Sequence, residues 1–366
     1  MLKMTMIPRE ELNKEHGISS RSQVQMEEDQ NILAAMLQQE KAYRSIDYLD
    51  QIKNLKYQRE EQQAARSKGG KGRKDVSSQK VVDEFCRDQI VEWKYRVMDY
   101  FKIDREIVAI SMSYLDRFLS EAVHSRDRRA FKRAATASLH LAVKVHVPDK
   151  LRCIGVLSDL SRGEFEMSDI IATEGSVSKT INWRLHPPTA ICVTSTLISI
   201  LPSIPSSPSI EGEEIANCLL DFSLFFAELS VCNYSLSVIQ KTSTIAVASL
   251  FNAMEGLGLL SSVEASSSFL RDFVEKVGEI APDASLDLDA IEDSKELLWK
   301  LYENSEEYSM TKEEEEKTNA TKRSKTTKNG GRDSPSGIDD DKISVVSDSS
   351  SPICVSRLVR AEGVMV

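Results

Sequence analysis

The sequence predicts an all-α protein: two successive five-helix layers, one additional helix ahead of them, and a polar tail at each end. Three observations lead there. Apolar residues recur at intervals of three and four in a succession of segments between Met26 and Tyr308. Two stretches rich in alanine, serine and threonine, AATASLHLAVKV (134–145) and TSTIAVASLF (242–251), take the same place in two runs of five such segments. Pro187-Pro188 separates the runs. Small residues let neighbouring helices approach closely, so each stretch is expected at the centre of its layer.

In chain order, residues 1–24 lack periodicity and are expected to be disordered. Over residues 25–50, Ile32, Leu33, Met36, Leu37 and Tyr43 form an apolar stripe among good helix formers. A helix this short cannot bury its stripe alone, so it needs the body of the protein, a partner, or both. Residues 51–80 read as a flexible basic linker, because the glycines and like charges of RSKGGKGRKDVSSQK oppose packing.

Residues 81–188 hold the first layer. Phe85, Ile90, Trp93, Val97 and Phe101 give its first helix a core face, and Asp104 is the expected N-cap of the second. That second helix is apolar on two sides, with Ile107, Val108, Met112, Leu115 and Leu119 on one and Ile110, Tyr114 and Phe118 on the other, which predicts a helix sandwiched inside a bundle. Residues 124–133 read as a basic connection into the small-residue helix, which Pro148 ends; a short helix over 151–160 and a fifth over 167–185 follow. The second layer, 189–308, has helices expected at 190–201, 210–229, 238–254, 268–277 and 288–308. Residues 309–366 contain too few apolar residues to fold and form a disordered tail with two candidate proline-directed phosphorylation sites, Ser334 and Ser351.

A net charge of −10 argues against a chain built to grip nucleic acid, and against an anionic membrane surface. No run of about 18 uninterrupted apolar residues occurs and the N-terminus lacks a signal-peptide pattern, so an intracellular protein is expected. Six cysteines lie scattered with no C-x-x-C pair and read as inert or buried thiols. The five histidines show no ligand-like spacing with them, and no phosphate-cradling loop, H-E-x-x-H or G-x-S-x-G is present. No metal, cofactor or catalytic residue is therefore expected.

Arg87, Trp93, the run Tyr114-Leu-Asp-Arg-Phe-Leu-Ser120, Leu141-Ala-Val-Lys144, Glu174, Leu185 and Pro188-Thr189 together resemble the cyclin box, and Ser243-Thr-Ile-Ala-Val-Ala-Ser-Leu250 is similar to the central helix of the C-terminal cyclin fold. The resemblance covers residues 26–308 and implies two tandem five-helix cyclin-like domains that bind and activate a cyclin-dependent kinase in cell-cycle control, in the nucleus and also the cytoplasm. It implies that Lys144 and Glu174, with Val145, Trp183 and Leu185, meet the kinase, and that Arg87 and Asp116 form a buried structural ion pair. It also implies a groove for kinase substrates or inhibitors at Cys86, Gln89, Ile90, Trp93 and Arg96. Cys86 stands where the family has methionine, Gln89 where it has isoleucine and Arg96 where it has glutamate, so the groove departs from the usual Arg-x-Leu type. Two alternatives remain open: a transcription factor of the TFIIB type, which also uses two cyclin-like repeats, and a cyclin-fold scaffold without kinase activation. The acidic, C-x-x-C-free sequence speaks against the first.

Overall fold

The computed structural model of the protein describes residues 23–54, 57, 82–121, 127–150, 164–201, 212–260, 263–282 and 284–305. Among these residues the regular structure is helical and no strand is formed. The expected disorder at 1–24 and 309–366, the basic run at 66–80, the short helix at 151–160, Ser334 and Ser351 lie outside the described residues, apart from Gln23 and Val24.

The leading helix, α1 (Gln23–Glu40), buries Leu33, Met36 and Leu37 but leaves Ile32 exposed, so its apolar stripe is narrower than its composition suggests. It packs on the second layer, chiefly against α6 (Ala190–Ser199), and also meets α8 (Thr242–Gly256) and α9 (Val263–Ile280). Its last residue, Glu40, accepts hydrogen bonds from the Ser243 amide (2.6 Å) and the Ser243 hydroxyl (2.8 Å) in the first turn of α8. A carboxylate there satisfies a free helix amide and complements the positive end of the helix dipole. Residues 48–54 are helical, with Tyr48, Leu49 and Ile52 buried, so the segment expected to be a linker from 51 onward starts as packed structure. Its apolar residues number only three, too few for periodicity to announce a helix.

In the first layer, α2 (Glu84–Phe101) starts at Asp83, whose carboxylate accepts from the Cys86 amide at 2.9 Å. Its buried face differs from the predicted one: Cys86, Arg87, Val91, Lys94, Tyr95, Val97 and Met98 point inward, whereas Phe85 is 57% exposed and Ile90, Trp93 and Phe101 lie half-buried at the margin. Asp104 receives the Glu106 amide at 2.8 Å and opens α3 (Glu106–Glu121), which is buried along both predicted sides. The central helix α4 (Arg128–His146) begins inside the expected basic connection because Asp127 caps it through the Ala130 amide. It packs most extensively against α3 and α5 (Met167–Thr180). Helix α5 stops at Thr180, five residues before its predicted end, where the chain turns through positive φ.

The second layer repeats the arrangement. Helix α8 is nearly all buried and packs on α6, α7 (Gly212–Cys232) and α10 (Leu288–Glu303). Its predicted start at 238 is wrong by four residues, since Ser235–Ile239 forms a π-turn and Lys241 caps the helix that follows. Glycine at 256 permits close approach to α7, because a Cβ there would lie 2.5 Å from the Phe222 ring. Residues 215–232 of α7 are long and apolar enough to cross a membrane by composition alone, but 67% of that window is buried within the bundle. Among the described cysteines, Cys86 is buried and Cys192 and Cys232 half-buried, their thiols pushed up by burial, and Cys218 is exposed.

The layers meet along α7, which contacts both α2 and α3. Arg105 spans this seam, pairing with Glu228 at 3.0 Å and Asp99 at 2.8 Å, its guanidinium 5.3 Å from the Tyr95 ring centre.

Candidate functional site

The two charged pairs expected from the sequence, Arg87–Asp116 and Lys144–Glu174, both form, and their surroundings differ. Arg87 is 0% exposed and Asp116 2%. Arg87 Nη2 donates to Asp116 Oδ2 at 2.9 Å and Nε to Oδ1 at 3.2 Å, the fork geometry that suits a carboxylate. The remaining donors reach the Val231 carbonyl (2.9 Å) and the Ser237 hydroxyl (2.7 Å) of the second layer. Tyr48 donates to Asp116 Oδ1 at 2.8 Å, and Tyr234 stands edge-on to Tyr48 while donating to Asp47 at 2.9 Å. The pair therefore ties together both layers and the segment after α1. Burial opposes the charge on Arg87, but Asp116 outweighs it and holds the guanidinium protonated. Two turns along the same helix Lys94 is also fully buried, its Nζ 3.3 Å from the Met112 thioether; burial pushes it down to about 7.

The second pair faces outward. Lys144 Nζ donates to Glu174 Oε1 at 2.6 Å; Lys144 is 49% exposed and Glu174 9%. The other carboxylate oxygen, Oε2, lies 2.7 Å from His140 Nδ1. Burial pushes the Glu174 carboxyl up, but the hydrogen bonds from His140 and Lys144 together hold it below its usual range. Glu174 is thus fixed from beneath by one neighbour and from the side by another, while the ammonium keeps solvent-facing donors. Sequence reading missed His140. Its i, i+4 spacing to Lys144, which sets both on one helix face, was the available signal.

Val145 lies half-buried on α4 behind Lys144, and Ile171 is exposed on α5 one turn before Glu174. Beyond α5 the chain makes a turn in which Asn182 (φ 55°) and Trp183 (φ 56°) are consecutively left-handed. Such a conformation costs about 1–2 kcal/mol per non-glycine residue, so the surroundings must hold it. The Trp183 amide donates to the Ser178 carbonyl at 2.9 Å, closing the helix end. Arg117 Nη1 donates to the Arg184 carbonyl (3.0 Å) and Nη2 to the Ile181 carbonyl (3.1 Å). Tyr114 donates to the Leu185 carbonyl, which also lies 2.9 Å from His146 Nε2. Trp183 consequently stands 64% exposed on a braced backbone, whereas Leu185 is half-buried against the core.

The residues of the expected groove lie along α2. Cys86 is buried, Ile90 and Trp93 are half-buried, and Gln89 and Arg96 are exposed, Arg96 pairing with Glu92 one turn back. Phe85 and the 78%-exposed Tyr100 extend the same stripe; the sequence reading placed Phe85 in the core and did not name Tyr100. Among the described residues no group of three or more histidine, cysteine or acidic side chains is arranged to hold a metal ion.

Residues 51–186 match the family model for the N-terminal domain of cyclins, a span that contains both charged pairs and the Trp183 turn. The chain is 26% identical to Cyclin-A1-4 of Oryza sativa subsp. japonica over 177 residues, 48% of this chain and 46% of that protein. It is 26% identical to the G1/S-specific cyclin-E of Caenorhabditis elegans over 212 residues, 54% of this chain and 38% of that protein. The chain thus spans about half the length, or less, of these relatives. A solved viral cyclin from herpesvirus saimiri aligns over 61% of this chain and 89% of its own, with a TM-score of 0.41 at 15% identity. The matched N-terminal domain and the A-type and E-type relatives agree that residues 51–186 are similar to the N-terminal domain of cyclins.

Proposed function

We propose that the protein is the non-catalytic regulatory subunit of a cyclin-dependent protein kinase and acts in cell-cycle control. The observation that carries this reading is the Lys144–Glu174–His140 cluster flanked by exposed Ile171 and Trp183. A fixed carboxylate and a half-exposed ammonium can hydrogen-bond the backbone of a partner's helix and set its register, while the apolar neighbours supply area. The partner helix in question carries the glutamate that must pair with the kinase's ATP-site lysine. Binding selects the active arrangement of that helix, and the activation attainable equals the differential affinity for it. Substrates or inhibitors of the kinase are the proposed occupants of the α2 stripe. The complex is proposed to work in the nucleus, with the basic run at 66–80 as the import signal.

The test is reconstitution. Purified protein is added to individual cyclin-dependent kinase catalytic subunits, and phosphorylation of a peptide substrate is followed. At least one kinase is expected to gain activity by two orders of magnitude or more; no gain with any, and no kinase recovered with the tagged protein from dividing cells, would overturn the reading.

A further inference from the structure

We propose that Arg117 is the positioning residue of this docking face, holding the Asn182–Trp183 turn in its left-handed form and making that form depend on the chain after α1. The consequence for kinase affinity rests on the function proposed above; the effect on the turn does not.

Arg117 is nearly buried, and among the described residues it pairs with no carboxylate. Its charge is given instead to two carbonyls, Ile181 and Arg184, at the C-terminal end of α5. A guanidinium suits this place for two reasons. Its planar fork holds the two acceptors from separate nitrogens in a fixed geometry, which a freely rotating ammonium does less rigidly, and a cation complements the negative end of the helix dipole. The other face of the guanidinium is covered by Tyr43, whose ring centre lies 4.7 Å from the central carbon. A second link runs beside it, because Arg184 Nη1 donates to the Ala42 carbonyl at 2.9 Å. The residues just beyond α1 therefore touch the turn through both Tyr43 and Ala42. Two consecutive left-handed residues, one of them an exposed tryptophan, persist only where carbonyls on both sides are restrained, and Arg117 restrains one on each side.

The experiment uses the full chain with Trp93→Phe and Trp299→Phe, which leaves Trp183 as the remaining tryptophan of three. Time-resolved fluorescence anisotropy then reports the freedom of Trp183, and amide exchange of residues 182–184 reports the turn. Arg117→Met is expected to at least halve the residual anisotropy and to speed exchange at those residues tenfold or more, with helical content retained. Arg117→Lys is expected to recover less than half of each change. Tyr43→Leu, which leaves both carbonyl bonds in place, should move both readings the same way by a smaller amount, and it decides the matter if Arg117→Met does not fold. Unchanged anisotropy and exchange in Tyr43→Leu and in whichever Arg117 variant folds would overturn the proposal. Affinity for the activated kinase should fall about tenfold in Arg117→Met. A wild-type chain that binds no kinase would remove the docking reading and leave the turn result standing.

Discussion

The Arg87–Asp116 seam and the Lys144–Glu174 face are both ion pairs between neighbouring helices of one layer, and both are made from hydrogen bonds of ordinary length. What separates them is how many of their donors are used inside the protein. Arg87 makes four hydrogen bonds to three residues, two of those residues in the other layer, and no part of it meets solvent. Lys144 makes one, and half of it faces outward. A buried pair whose partner is removed leaves an uncompensated charge, whereas an exposed pair contributes little to stability whatever its length. The first pair is accordingly a joint and the second a presented surface.

The largest expected effect lies on the joint. Asp116→Ala strands the Arg87 guanidinium and the Tyr48 hydroxyl, and should destabilise the fold by about 3–5 kcal/mol in urea denaturation. A loss below about 1 kcal/mol would erase the distinction between the regions. Next, Lys94→Met replaces a buried amine with a side chain of similar volume and should stabilise by about 2 kcal/mol at pH 7. The pH dependence carries a sign. Lys94 titrates near 7 in the folded protein against 10.5 when exposed, so between those values the unfolded chain binds the extra proton and stability rises with pH. The wild type should gain stability relative to Lys94→Met across that window; parallel curves would mean that the amine is not desolvated. Third, Glu40→Gln keeps shape but removes the charge at the start of α8, and should cost about 1 kcal/mol by thermal unfolding. Smallest is Lys144→Ala, with a stability change under about 1 kcal/mol.

The same contrast explains what the sequence could disclose. Helix α3 was legible because its inward residues are apolar on both sides, so periodicity alone marked it. Helix α2 was misread because two of its deepest residues, Arg87 and Lys94, are charged, while apolar Phe85 points outward; hydropathy assigns each to the opposite face. Arg87's depth depends on Tyr48, Val231 and Ser237, more than thirty residues before it or a hundred after it, and no local pattern contains them. At the candidate site, the resemblance to cyclins supplied Lys144 and Glu174, and the structure sets them together. His140 and Arg117 were not identified as parts of that site. The histidine's one local signal is its four-residue spacing to Lys144; the arginine's acceptors are carbonyls, which carry no side-chain signature.

The claim that the Lys144–Glu174 face presents rather than supports is tested most directly by one titration. A kinase activated by the wild-type chain is titrated calorimetrically with Lys144→Glu, at a temperature where circular dichroism shows wild-type helicity. Charge reversal beside Glu174 should weaken binding at least a hundredfold while the urea midpoint stays within error of wild type. Wild-type affinity in a folded Lys144→Glu chain, or loss of binding that tracks unfolding, would contradict it.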